Sequence, residues 1–421
     1  MRNGTRRLVR ALMSASVLSL VATAGWSQSL TWLGTLPGGD ITYAHAVTDG
    51  AVVVGWAYNA SRQWRAFRWT ASEGMQNLGT LGGNESWAWG VSANGAVVVG
   101  EAHNDAGQRR AFRWENGVMQ DLGTLPSGTW SGARGVSADG DVVVGVAPNA
   151  AGQWSAFRWE NGVMQDLGTL PGGYYSVAYA VSADGAVVVG YAYNADMQLR
   201  AFRWENGVMQ DLGTLGGRES VAWGVSADGA VVVGYAYNAD TQLRAFRWEN
   251  GVMQDLGTLP GGNQSHALGV SADGAVVVGV AEKVAGQQYR AFRWENGVMQ
   301  DLGMLGGGFS RAWGVSADGA VVVGEAVNAT GQGQRSAFRW TESGGMEDLN
   351  TTYASWLTNG STLIRAYAIS PDGRYIVGEG WNADTELYEA FLLDTIPEPA
   401  SLIALGAGLA GLVGLRRRKQ A

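Results

Sequence analysis

The sequence predicts an all-β protein, a β-propeller built from four-stranded antiparallel blades. Ala-Phe-Arg-Trp occurs at 66–69, 111–114, 156–159, 201–204, 245–248, 291–294 and 337–340, at spacings of 44 to 46 residues, and a period of that length marks an array of small β units. Ser-Ala-Asp-Gly-Ala-Val-Val-Val-Gly and Asp-Leu-Gly-Thr-Leu keep the same beat. Each period holds strand-sized apolar runs separated by Asp-Gly or Asn-Gly turns, the strongest short hairpin signal.

Residues 220–259 show one period. Ser-Val-Ala-Trp-Gly-Val-Ser reads as the first strand and Ala227-Asp228-Gly229 as a turn. The second strand, Ala230 to Tyr237, contains Val231-Val232-Val233, an unbroken run expected where both faces are buried. A loop at Asn238 to Gln242 leads into a third strand, Arg244 to Trp248, then Glu249-Asn250-Gly251 turns the chain into a fourth, Val252 to Leu259.

The turn before the valine strand occurs eight times, at Asp49, Asn94, Asp139, Asp184, Asp228, Asp273, Asp318 and Asp372. The eighth unit, Arg365 to Leu393, stops after its third strand, whereas Leu30 to Leu36 forms a stray fourth strand near the N-terminus. Eight blades closed by that strand are expected. The longer segment Asn350 to Thr362 before the last unit also allows seven good blades and a degenerate one.

The ends have a different character. Residues 1–28 carry Arg2, Arg6, Arg7 and Arg10 before an apolar run from Ala11 to Ala24, the pattern of a secretory signal peptide. Arg6-Arg7 lacks the Phe-Leu expected of a twin-arginine signal. Residues 29–394 are the propeller. Residues 395–421 contain Pro397-Glu398-Pro399, an apolar stretch from Ala400 to Leu415, and Arg416-Arg417-Arg418-Lys419. The stretch reads as a short transmembrane helix, slightly under the roughly 20 residues of a full span, with the basic cluster held on the cytoplasmic side.

Composition fits export. Removing the arginines of the leader and the basic residues and Glu398 of the tail takes the formal charge from −8 to −15, which excludes a nucleic-acid binder on electrostatic grounds. With no cysteine, disulfides and thiolate chemistry are excluded. His45, His103 and His266 have no metal-ligand spacing, so neither a metal nor a cofactor is expected.

The repeated residues read as scaffold. Phe and Trp of Ala-Phe-Arg-Trp share one strand face and pack on a neighbouring blade, while the arginines between them face the Asp of Asp-Leu-Gly, an expected counter-ion for five of them. Function is expected where blades differ, at the linkers and second-to-third loops. Candidate ligand-binding residues there are Tyr43, Trp87, Trp130, Tyr174, Tyr175, His266, Phe309 and Arg311. Two columns on the first strand point to the channel mouth: Tyr43, Trp87, Gly132, Val177, Val221, His266, Arg311 and Arg365, then His45, Trp89, Arg134, Tyr179, Trp223, Leu268, Trp313 and Tyr367. Aromatic rings mixed with hydrogen-bonding groups suit a sugar. The second column alternatively plugs the channel.

The C-terminal order of Pro397-Glu398-Pro399, apolar segment and Arg416-Arg417-Arg418 resembles the PEP-CTERM sorting signal of Gram-negative bacteria that make exopolysaccharide. That resemblance implies an exosortase-type membrane peptidase and export machinery as partners, transient anchoring in the inner membrane, and delivery to the cell surface or matrix. The repeats resemble the HAF family of extracellular repeat proteins, named for His-Ala-Phe. Here that His position holds Arg65, Arg110, Arg200, Arg244, Arg290, Ser155, Ser336 or Glu389. The family implies extracellular location and supplies no catalytic residues. The expected function is therefore non-catalytic binding of an exopolysaccharide or surface glycan. The alternatives are an adhesion scaffold for protein partners and a glycoside-active enzyme, for which no carboxylate pair stands out.

Overall fold

A computed structural model describes residues 28–284, 288–329 and 333–395. The leader at 1–27 and the tail from 396, including Pro397, Glu398, Pro399 and Arg416 to Arg418, lie outside the described residues. Residues 30–393 form one compact unit. Among the described residues, no helix is long and apolar enough to cross a membrane.

The strands form six four-stranded sheets and one eight-stranded sheet, in which two four-stranded units meet through a single bridge between Tyr289 and Phe309. Eight blades result, spanning 42–77, 82–121, 132–166, 176–211, 216–255, 265–301, 306–348 and, for the last, 362–394 with Ser29–Trp32. That N-terminal strand lies beside Leu387–Asp394 as the expected fourth strand of blade 8, and the Leu33 amide donates to the Ala390 carbonyl at 2.9 Å. No sheet closes on itself. Packing closes the ring instead.

The valine run explains how. In blade 3 Val143 packs toward blade 2, whereas Val142 and Val144 pack toward blade 4, because successive side chains leave a strand on opposite faces. The third strand adds Phe and Trp to the face toward the preceding blade: Phe112 and Trp114 of blade 2 fill a cluster with Val54, Ala66 and Leu78 of blade 1. Eight such clusters join consecutive blades. The last sets Val377, Ala390 and Leu392 of blade 8 against Val53, Phe67 and Trp69 of blade 1, with Leu33 and Leu36 between them.

The two glycine turns differ. Asn161-Gly162 has positive φ at both residues, 51° and 83°, the twist-compatible two-residue hairpin. The Ser-Ala-Asp-Gly turn is longer: Ser137 Oγ donates to Asp139 Oδ1 at 2.5 Å and accepts from the Val142 amide at 2.9 Å. These turns also link blades in a belt, each Ala amide donating to the next turn's carbonyl from Ala93 to Ala138 and onward to Ala317 and Pro371, at 2.8–3.0 Å.

The expected counter-ion of the repeated arginines is corrected. Arg113 pairs with Glu115 two residues on, at 2.8 Å, and its Nε donates to the Gly140 carbonyl of the next blade at 3.0 Å. Arg158, Arg203, Arg247 and Arg293 repeat the pattern. The residue at i+2 lies on the same face of the strand and so presents its carboxylate beside the guanidinium. Asp121, Asp211 and Asp255 instead approach Arg110, Arg200 and Arg244, at 3.6–3.8 Å.

Phe112→Ala should lower stability by about 3–5 kcal/mol, since a fully buried ring between two blades is lost. Val118→Ala, at a position 66% exposed, should change it by less than about 0.5 kcal/mol. Denaturant melts of the two variants check this pair.

Candidate functional site

Strand direction puts the linkers and second-to-third loops at the end of the ring opposite the turn belt. First strands of neighbouring blades pack on one another, so they are the innermost. Every one of them carries a β-bulge. The register slips between Ala44 and Ala46, between Ala88 and Gly90, and at the same place in each other blade. The residue left over is the second column, His45 through Tyr367, and a bulge re-aims the side chain it leaves unpaired. These side chains touch from blade to blade: His45 lies 5.1 Å from Trp89 and 6.0 Å from Tyr367, Tyr179 lies 4.5 Å from Trp223, and the Arg134 guanidinium sits 5.0 Å over Trp89.

The first column is fixed differently. A Cβ on the glycine ending each Val-Val-Val-Gly would stand 1.8–2.0 Å from the carbonyl oxygen of the first-column residue, so only glycine fits opposite it. The residue before it in blades 2 to 7 is a buried serine, Ser86, Ser131, Ser176, Ser220, Ser265 or Ser310. Its hydroxyl accepts from the Ala amide of the preceding blade's Ala-Phe at 2.8–2.9 Å. It donates to a linker glycine carbonyl at 2.5–2.7 Å. Arg65, Arg110, Arg200 and Arg244, each just before Ala-Phe, donate to backbone carbonyls that lead into the first strand of the next blade. Blade 8 replaces this anchor with Asn350, within the short helix Leu349–Thr352; its side-chain Nδ2 donates to the Leu363 carbonyl and its Oδ1 accepts from the Leu363 amide.

On this frame the candidates fall into three groups. His266, Phe309 and Arg311 come together on a cavity of about 730 Å³ spanning blades 5 to 7. Blade 5 contributes Glu219, Trp223, Tyr235 and Tyr237, and blade 6 adds Leu268, Val280 and Tyr289, with Trp313 on the blade 7 wall. Its size is that of a small-ligand site. The Arg311 guanidinium lies 5.3 Å from the Phe309 ring and 4.8 Å from Trp313, and His266 meets Tyr235 at 5.4 Å.

Trp130, Tyr174 and Tyr175 form a second group on blades 3 and 4. Trp130 meets Trp154 edge-on at 4.9 Å, Trp154 stacks on Tyr175 at 5.2 Å, and Tyr174 stacks on Tyr193 at 5.1 Å. Trp154 and Tyr174 are exposed, at 42% and 40%. Tyr43 and Trp87 stand apart, Tyr43 against Trp56 and Trp64 at 6.2 and 5.9 Å and Trp87 against His103 at 5.6 Å. Trp154, Tyr235, Tyr237 and Tyr289 were not among the expected residues. Their signal lies in two further variable columns, the residues after Val-Val-Val-Gly and the residue two before Ala-Phe.

Buried carboxylates at this end are held by arginines. Glu101 pairs with Arg109 at 2.9 Å and Arg134 at 3.4 Å. Burial lowers the pKa of His266, and the nearby Arg311 lowers it further. Burial lowers that of His45 to about 4. Burial also lowers the pKa of Arg311, against the pull of Glu325.

His45 gives a pH-dependent term. Its folded pKa lies below the usual value of 6.5, so the unfolded chain binds the proton more readily and stability is lost as pH falls from about 6.5 to about 4. The loss is on the order of 3 kcal/mol. Thermal melts of native protein and His45→Phe across that window should diverge, the variant losing less stability.

A family comparison matches the PEP-CTERM protein-sorting motif at residues 395–419. No curated protein sequence matches the chain. Among solved structures, a prolyl endopeptidase resembles it with TM-score 0.54 at 10% identity, covering 90% of this chain and 57% of that one. TolB from Acinetobacter baumannii gives 0.38 at 11% identity over 84% of this chain and 78% of that one. The β-propeller domain of the Trilobed protease from Pyrococcus furiosus gives 0.46 at 11%, over 73% and 98%. Such likeness speaks to fold alone. The chain is an exported β-propeller protein that carries a PEP-CTERM sorting motif at its C-terminus, a signal for a membrane-associated sorting step.

Proposed function

We propose that this propeller is a non-catalytic surface or matrix protein that binds a glycan, its cell's exopolysaccharide or a surface glycan, through the linker end of the ring. The cavity of about 730 Å³ on blades 5 to 7 carries the reading. It combines ring faces, Trp223, Phe309 and Trp313, with hydroxyl, carboxylate, imidazole and guanidinium groups. A sugar presents apolar ring faces and a rim of hydroxyls, and needs both kinds of surface at once. The ladder of half-buried Trp130, exposed Trp154 and half-buried Tyr175 on blades 3 and 4 extends the stacking surface along the same end.

The binding reading is favoured over hydrolysis by how the buried glutamates are used. Glycoside cleavage requires one protonated and one free carboxyl group flanking the bond. Glu101, Glu325 and Glu379 are instead tied to arginines, Glu282 accepts from the Asn263 amide, and Glu389 accepts from Asn382 and Thr385. The residues resembling a HAF array agree with an extracellular role, and an exosortase-type peptidase cutting near Pro397-Glu398-Pro399 would release the propeller from its membrane tail.

Trp223→Ala combined with Phe309→Ala should weaken binding of the best ligand on a glycan array by about tenfold or more while leaving the melting temperature within a few degrees. Binding unchanged here but lost in Trp130→Ala with Tyr175→Ala would move the site to blades 3 and 4. Absence of any glycan ligand would sink the reading. For sorting, replacing Pro397, Glu398 and Pro399 by alanine should leave a longer form in the membrane fraction, seen by immunoblot, where the native protein is shortened and released.

A further inference from the structure

The cavity wall on blade 7 carries a guanidinium that makes no ion pair among the described residues. Three arginines gather there, Arg311, Arg335 and Arg365, from blades 7 and 8. Arg335 and Arg365 both pair with Glu325, Arg365 at 2.8 Å, and Arg365 pairs also with Glu379. Both glutamates are almost fully buried, at 1% and 4% exposure. Two carboxylates thus face three guanidinium groups, and Arg311 is the one with no ion pair among the described residues.

Two donors at this wall are also unspent. Arg311 Nε and Trp313 Nε1 are buried and have no hydrogen-bond partner among the described residues, although buried donors are satisfied in most native structures. Both residues line the cavity, with the guanidinium 4.8 Å from the Trp313 ring. The flat faces of Phe309 and Trp313 hold the guanidinium by cation–π contact, which fixes its position without using its hydrogen-bonding capacity. The far wall, on blade 5, offers Glu219 and the hydroxyls of Tyr235 and Tyr237, groups that suit sugar hydroxyls and would repel a second negative charge.

We propose that the cavity selects a carboxylate-bearing sugar of the uronic-acid type, with the carboxylate received by the Arg311 guanidinium beside the Trp313 ring and the hydroxyl rim directed to blade 5. The assignment rests on the glycan reading above and sharpens it to an acidic substrate class. A carboxylate offers two coplanar acceptor oxygens to the guanidinium, and charge-assisted hydrogen bonds of this kind are the strong ones. A neutral hexose would leave the Arg311 guanidinium without an ionic partner.

The test uses the exported protein and alginate oligosaccharides, a polymer of uronic acids, beside the same oligosaccharides after reduction of their carboxyl groups to alcohols. Calorimetry on native protein should show the acidic form binding about tenfold or more tighter than the reduced one. Arg311→Gln should abolish that preference, bringing the two forms to within about twofold of each other. Equal binding of both forms to native protein overturns the carboxylate assignment while the glycan reading stands. Failure of both, together with an empty glycan array, overturns the glycan reading itself. Equal loss of both forms in Arg311→Gln makes the residue structural and also overturns the assignment.

Discussion

Everything in this ring depends on the apolar seam between one blade and the next. Blades 1 to 7 bury Phe and Trp of the third strand against the blade before, blade 8 buries Phe391 and Leu393 in their place, and the alternating apolar residues of each second strand serve both neighbours. An isolated four-stranded sheet would expose both of those faces to water, so no blade is stable alone. The seam between blades 8 and 1 then sets the ends of the fold. It needs Leu33 and Leu36 as well as Ala390 and Leu392, which is why the N-terminal strand must travel to the last blade.

Polar groups refine that seam. The arginine between Phe and Trp spans from its own strand to the next blade's turn, and it holds a glutamate that is itself substantially exposed. Surface pairs of this kind contribute about 1 kcal/mol or less each, so the arginines set register between blades more than they stabilise them. Blade 7 is the exception: Arg339 pairs only loosely with Glu347, at 3.7 Å, and its Nε lacks a partner among the described residues. The irregular step into blade 8, with its helix and the Asn350 clamp, begins at that point.

The sequence made the scaffold readable because the scaffold is what repeats. Blade number, the closing strand, the doubly buried valines and the stacking face of Phe and Trp all follow from periodicity. The counter-ion did not, since Asp of Asp-Leu-Gly and Glu of Arg-Trp-Glu recur equally often and only geometry separates them. The serine anchors were invisible for a different reason: Ser265 or Ser310 resembles any polar residue entering a strand, and its value comes from an amide of another blade. The cavity was half legible. His266, Phe309 and Arg311 lie in the linker and first strand, where variation between blades is plain. Tyr235, Tyr237 and Tyr289 occupy the second and third strands, where the surrounding repeat conceals variable positions.

The same columns explain why a cavity opens at blade 6. At the second column and at the position after Val-Val-Val-Gly, blade 5 presents Trp223 and Tyr235 and blade 7 presents Trp313 and Glu325. Blade 6 presents Leu268 and Val280. A shortfall of side-chain volume between two well-filled neighbours leaves space that the rigid frame cannot collapse, because the glycine contacts and serine anchors hold every first strand in place. Blade 3 has a similar shortfall at Gly132 and Val146, yet there the Glu101 carboxylate approaches to within 3.2 Å of where a Gly132 Cβ would stand, and its ion pairs with Arg109 and Arg134 occupy the gap. Among the described residues, blade 6 is where small residues meet a wall whose arginine, Arg311, makes no ion pair, so the space that blade 3 fills stays open there.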